Sequence, residues 1–113
     1  MHSKIETLLI EANEDFKFKF YNKCVSAAYF ASRMAVERYL RSLRIFIPRR
    51  DDKLANAIEN LGFKNEASLL RILYELRKKA DYTDENITEN EATQALKMAN
   101  LIIERFRINN RLS

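Results

Sequence analysis

The sequence predicts an all-α fold: an up-and-down bundle of four principal helices plus a short fifth, forming a single domain over residues 1–113. Three observations carry this. The chain has one Gly and one Pro in 113 residues, whereas an all-β sandwich needs turn residues every ~8–12 positions. Apolar side chains recur at helical spacing along most of its length. Two Ser/Thr-x-x-Glu signatures, at Ser3–Glu6 and Thr88–Glu91, mark helix starts as capping boxes.

The first helix starts at Ser3 and continues through Leu9, Ala12 or Asn13, Phe16 and Phe20. Phe16-Lys17-Phe18-Lys19-Phe20 also alternates as a strand would, but no second strand-like segment exists to pair with it. The second helix is the organising element, from Tyr21 to Arg44 and ~35 Å long at 1.5 Å per residue. Asn22 is its expected N-cap. Its small stripe is Cys24, Ala27 or Ala28, Ala31 and Ala35, and its bulky stripe is Val25, Tyr29, Val36, Tyr39 or Leu40 and Leu43. Two adjoining stripes require partner helices on more than one face. This helix ends near Ile45, because Pro48 disfavours helical geometry at Ile47.

Asp51 or Asp52 is expected to cap a short third helix with Leu54, Ala57, Ile58 and Leu61 inward, and Gly62 to supply its left-handed C-cap. Asn65 is expected to cap a fourth helix, whose inward stripe is Leu69, Leu70, Leu73, Leu76 and Ala80. Asp81 to Asn86 reads as a loop. The last helix opens at Thr88 and presents Ala92, Ala95, Leu96, Ala99, Ile103 and Phe106, with Met98, Leu101 and Ile102 widening that face; the tail from Asn109 should fray.

Composition excludes several function classes. The only His is His2, beside the starting Met, so neither His-ligated metal sites nor Ser/His and Cys/His pairs are expected. No Gly-rich phosphate loop occurs, and no cofactor or metal is expected. Cys24 cannot form an internal disulfide and lies on the small stripe, which predicts a buried, inert thiol. The longest apolar runs are a few residues and the N-terminus lacks a secretory layout, so the expectation is a cytoplasmic protein with no membrane association.

The formal charge of +4 is unevenly spread: Arg33, Arg38, Arg41, Arg44, Arg49 and Arg50 face Glu37 alone, while Asp84, Glu85, Glu89 and Glu91 reverse the sign. These are either solvated faces that pair with each other, the reading charge alone favours, or a basic patch for phosphate or RNA, with Arg49 and Arg50 in the linker. One further stretch carries chemistry, Leu76-Arg77-Lys78-Lys79-Ala80-Asp81-Tyr82-Thr83-Asp84. There a basic cluster sits beside a carboxylate and a phenol at a helix end. Arg77 lies near the edge of the buried face, as an ion pair with Asp81 at i+4, which spacing favours, or as a phosphate clamp.

Tyr21-Asn22 opening an Ala- and Tyr-rich helix, the run Leu73-x-x-Leu76-Arg77-x-x-Ala80-Asp81-Tyr82, and a Glu- and Ala-rich last helix together resemble the HEPN domain family, over roughly Ile5 to Phe106. The resemblance is to its small stand-alone prokaryotic members. It implies a two-fold homodimer with the two motif copies facing each other across a basic cleft. It also implies a toxin–antitoxin or defence setting, with RNA or nucleotide as ligand. Many such proteins cut RNA without metal, using an Arg and a His with four to six residues between them; others pair with a nucleotidyltransferase-type antitoxin. Arg77 matches the motif Arg, but Tyr82 to Asp84, where the His would fall, contain none. The resemblance therefore implies phosphate binding by Arg77, Lys78 and Lys79, with Arg77 and Tyr82 the candidate catalytic pair. Cleavage stays open here, since a phenol of pKa about 10 is a poor base at neutral pH. Two alternatives stay open beside this. The chain is a non-catalytic module that docks on a nucleotidyltransferase or other protein, or the motif is structural, with Asp81 pairing to Arg77 and Tyr82 packing on the bundle end.

Overall fold

A computed structural model describes residues 3–112, and side chains as far as residue 107. His2 lies outside the described residues. Five helices follow in order: α1 (Lys4–Lys17), α2 (Tyr21–Ser42), α3 (Asp51–Asn60), α4 (Lys64–Tyr82) and α5 (Glu89–Leu112). No strand occurs among the described residues. Helix α2 is the hub: it packs against α1, α4 and α5, while α3 leans on α4. Both stripes of α2 are therefore covered, and Cys24, Val25, Ala28, Tyr29, Ala31, Ala35, Val36 and Leu40 are buried. Burial pushes the Cys24 thiol up to about 11, the negative charge of Asp15 adding to the effect, so it stays protonated and inert.

The capping box at Thr88 forms in both halves, and at Ser3 the hydroxyl half forms. Ser3 Oγ accepts from the Glu6 N–H at 3.2 Å. At α5 the exchange is reciprocal, the Thr88 N–H donating to Glu91 Oε1 at 2.9 Å and the Glu91 N–H to Thr88 Oγ1 at 3.1 Å. The other expected side-chain caps do not form. The N-cap residues of α2, α3 and α4 are Phe20, Arg50 and Phe63, one to two residues ahead of Asn22, Asp51 and Asn65. Asn22 and Asp51 are drawn instead into tertiary hydrogen bonds described below.

For α2 and α4 the reason lies in how the preceding helix ends, one residue before the N-cap. Lys19 (φ 63°), Arg44 (φ 57°) and Gly62 (φ 101°) are all left-handed. After each, an apolar residue donates its N–H back five positions, Phe20 to Asp15 O, Ile45 to Leu40 O and Phe63 to Ile58 O, at 2.8–3.0 Å. This is the Schellman arrangement. It stops α1 at Lys17, short of the expected Phe20, leaves Phe18 and Phe20 exposed, and stops α2 at Ser42.

Helix α4 runs to Tyr82, so Asp81 and Tyr82 belong to its last turn and the loop is confined to residues 83–88. Leu70 and Leu73 are buried on its inner face, while Leu69, Leu76 and Ala80 are half-buried. Three expected core positions lie outside, Leu43 just past the end of α2, Leu61 and Leu101, the last 61 % exposed on α5. Helix α5 stays helical past Asn109, where fraying was expected, to Leu112. At the far end of the bundle Tyr39, Phe63 and Phe106 meet in a three-ring cluster with centroids 4.9–5.3 Å apart.

Candidate functional site

The site is built on one face of α2. Ser26, Tyr29, Phe30 and Arg33 stand at i, i+3, i+4 and i+7, so their side chains share one side of the helix. The C-terminal turn of α4 lies against this face and brings Arg77, Asp81 and Tyr82; the first residue of α3 brings Asp51.

Arg77 is the centre. Its side chain is 17 % exposed and its Nε donates to Asp81 Oδ2 at 3.3 Å. The same carboxylate oxygen accepts from Ser26 Oγ at 3.1 Å, so Asp81 is fixed from both helices. Nη2 donates to the Tyr82 phenol oxygen at 3.1 Å. The guanidinium carbon lies 4.6 Å from the Phe30 ring centroid, 5.6 Å from Tyr29 and 5.5 Å from Tyr82. Three rings and a carboxylate thus hold one cation, a stacked geometry that suits the planar guanidinium and not a lysine. Nη1 donates to no described residue, and among them no side-chain nitrogen is both buried and unpartnered. Nη1 therefore meets solvent, beside a Tyr82 ring that is 70 % exposed.

A second cluster supports the first. Asp51 Oδ1 accepts from the Tyr29 hydroxyl and from Arg33 Nη1, the latter at 2.7 Å. Arg33 Nη2 donates to the carbonyls of Pro48 and Arg49 at 3.2 and 3.0 Å. These bonds clamp the linker and the start of α3 onto α2 and fix the Tyr29 ring under Arg77. Burial pushes the Asp51 carboxyl above its ordinary range, and the positive charge of Arg77 acts against that push.

Of the positions singled out from sequence, the structure unites Arg77 and Tyr82 and disperses the others. Lys78 turns to Glu75 at 2.9 Å and lies 4.8 Å from the Tyr74 ring; its hydrogen bond to Glu75 raises its pKa. Lys79 crosses to α5 and meets both oxygens of Glu91 at 2.9 and 3.1 Å, with Glu85 at 3.8 Å. The backbone amide of Thr88 and then Lys79 hold the Glu91 carboxyl below its usual range. Arg50 is bidentate to Asp52 on the surface, and the Arg49 side chain is exposed. The acidic run is thus engaged by Lys79 and, at Glu89, by the Tyr21 hydroxyl, while Arg33 and Arg50 take Asp51 and Asp52. The two runs were expected to pair with each other.

Sequence reasoning missed Ser26 and Phe30, and it read Arg33 only as part of a basic run and Asp51 only as a helix cap. The available signal was the repeated interruption of a core helix by Asn22, Ser26 and Arg33, which share a face. Among the described residues no three His, Cys, Asp or Glu side chains gather closely enough to hold a metal. None of the helices there is long and apolar enough to cross a membrane.

With the five-helix order and the Arg77–Tyr82 turn in place, comparison with family models gives a match to the HEPN domain over residues 4–109. The chain belongs to the HEPN family. A search of curated proteins returns no match. Within this HEPN domain, the window for the motif His opens on Tyr82. Next to it, the Thr83 hydroxyl turns back to the Lys79 carbonyl at 2.7 Å and Asp84 is exposed. Tyr82 is the residue of the three that contacts Arg77. The pair brings a guanidinium and a phenolic O–H together, both able to donate to an anion.

Proposed function

We propose that this HEPN domain acts in a toxin–antitoxin or defence system by binding the phosphate backbone of RNA, without a metal, at a cleft formed by two copies of the Arg77–Tyr82 site. The observation that carries the reading is the state of Arg77: stacked on Phe30, braced by Asp81, and with Nη1 open beside the exposed Tyr82 ring. A guanidinium fixed in advance loses little freedom on gripping a phosphate, and an exposed aromatic beside it can stack a base. Arg49, exposed in the linker, adds positive charge to the surface, while that of Arg50 is taken up by Asp52.

Binding is favoured over turnover. Cleavage needs a base for the 2′-OH, and bringing a phenol of pKa about 10 to neutrality requires ~4 kcal/mol of differential stabilisation. The test is titration of labelled single-stranded RNA in EDTA, wild type beside Arg77→Ala. Salt-sensitive binding lost in the variant supports the reading; equal behaviour of the two proteins removes it.

The 70 % exposure of Tyr82 at a helix end favours a second reading, in which its hydroxyl accepts a nucleotide from a partner nucleotidyltransferase. Mass spectrometry of protein co-expressed with such a partner checks this: added nucleotide mass, absent in Tyr82→Phe, is the outcome it requires.

A further inference from the structure

Along α2 from Arg77, the turn between α1 and α2 and the loop 83–88 border an open cavity of about 520 Å3, lined among others by Lys19, Phe20, Asn22, Lys23 and Asn86. We infer that this cavity is a base-stacking subsite for single-stranded RNA, taking a nucleotide that flanks the phosphate held at Arg77. The inference rests on the RNA reading of that site.

The left-handed Lys19 that ends α1 turns the alternating Phe and Lys run outward. Phe20 is 53 % exposed and Phe18 67 %, and their rings lie nearly parallel, 6.1 Å apart and inclined by 25°. Two phenyl rings facing water have no role in this chain's core. The Lys23 ammonium stands 5.5 Å from the Phe20 ring centroid. Lys17, Lys78 and Lys79 are each within 3.2 Å of a carboxylate; Lys19 and Lys23 have no ion pair among the described residues. The Lys23 charge also acts on Asp15, and a cation beside an exposed ring is the combination by which proteins hold single strands, charge on phosphate and ring on base.

The cavity's amides are oriented. Asn22 Nδ2 donates to Asn86 Oδ1 at 3.1 Å, and Asn22 Oδ1 accepts from the Ile87 N–H at 2.8 Å. Asn86 Nδ2 has no described partner and is free to meet a base edge. The nearby carboxylate of Glu89 is already bonded to the Tyr21 hydroxyl. The volume lies in the ~300–1,000 Å3 range of ligand sites. Asn22, Ser26 and Phe30 follow one another at single turns, so the cavity and the Arg77 cluster are separated by ~12 Å along one helix face.

The test is a titration of labelled oligouridylate and, separately, of polyphosphate of equal charge, with wild type, Phe20→Leu, Phe20→Trp, Lys19→Gln/Lys23→Gln and Arg77→Ala. Phe20→Leu keeps the apolar contact at the helix start, and unchanged thermal melting confirms its fold. The expected result is about tenfold weaker oligouridylate binding in Phe20→Leu, with Phe20→Trp near wild type and polyphosphate binding unaffected. The double lysine variant should weaken both ligands and reduce the salt slope by about 1.4. Oligouridylate affinity unchanged in Phe20→Leu and the lysine variant, while Arg77→Ala still weakens it, overturns the subsite and leaves the Arg77 reading standing. No effect of Arg77→Ala overturns that reading and the flanking role with it.

Discussion

At the scale of single residues, Arg77 is held by more than charge. Asp81 satisfies Nε, and Asp81 is itself anchored by Ser26 on the neighbouring helix. The Tyr29 ring beneath is in turn held by Asp51, which also takes Arg33. Arg33 and Asp51 are each largely shielded, with side chains 14 % and 19 % exposed, so removing one strands the other. Asp51→Ala should cost about 2–3 kcal/mol in urea unfolding. An unchanged midpoint would mean that α3 docks without this clamp. The i+4 pairing of Arg77 with Asp81 was readable from spacing. Phe30 was not, because a Phe within a run of core residues carries no mark that its ring is half-turned to a cation on another helix.

At the scale of elements, three consecutive helices end in the same left-handed stop, and one of the three uses glycine. Gly62 announced its helix end in the sequence; Lys19 and Arg44 did not, since any residue type can be forced into that region at a cost of ~1–2 kcal/mol. That is why α1 and α2 were expected two or three residues too long, and why the caps at Asn22 and Asn65 were misplaced while the boxes at Ser3 and Thr88, local four-residue devices, were legible. Arg44 is therefore strained for no gain visible at its own position. Arg44→Gly should stabilise the fold by about 0.5–1 kcal/mol, read as a raised urea midpoint; a lowered midpoint would show that the arginine side chain contributes more than its backbone costs. The extension of α4 to Tyr82 had no local signal either. Asp81 and Tyr82 stay helical because Ser26 and Arg77 reward them there.

At the scale of the whole molecule, the bundle was legible because helical periodicity and the scarcity of Gly and Pro are properties of the entire chain. The radius of gyration of 13.5 Å matches the ~13 Å expected for a compact chain of this length. Long-range pairing of charges was not legible, since which helices adjoin decides it. Lys79 reaching Glu91 ties α4 to α5 and has a pH signature. The Glu91 carboxyl titrates below its ordinary 4.5 in the fold, so its contribution is fully present above the unfolded value and is lost as pH falls through the lowered folded value. Wild type should exceed Glu91→Gln in urea midpoint at neutral pH, and the gap should close as pH falls through and below the ordinary carboxylate range; a constant gap would assign the stabilisation to packing or to the cap.

RNA binding by this domain depends on the open side of Arg77 meeting a phosphate. The most direct measurement is the affinity of labelled single-stranded RNA in EDTA across a salt series, for wild type and Arg77→Ala. The account predicts binding that weakens with salt, drops by at least tenfold in the variant, and shows a salt slope shallower by about 0.7, one phosphate contact on a single strand. Equal affinity and equal slope for the two proteins would contradict it.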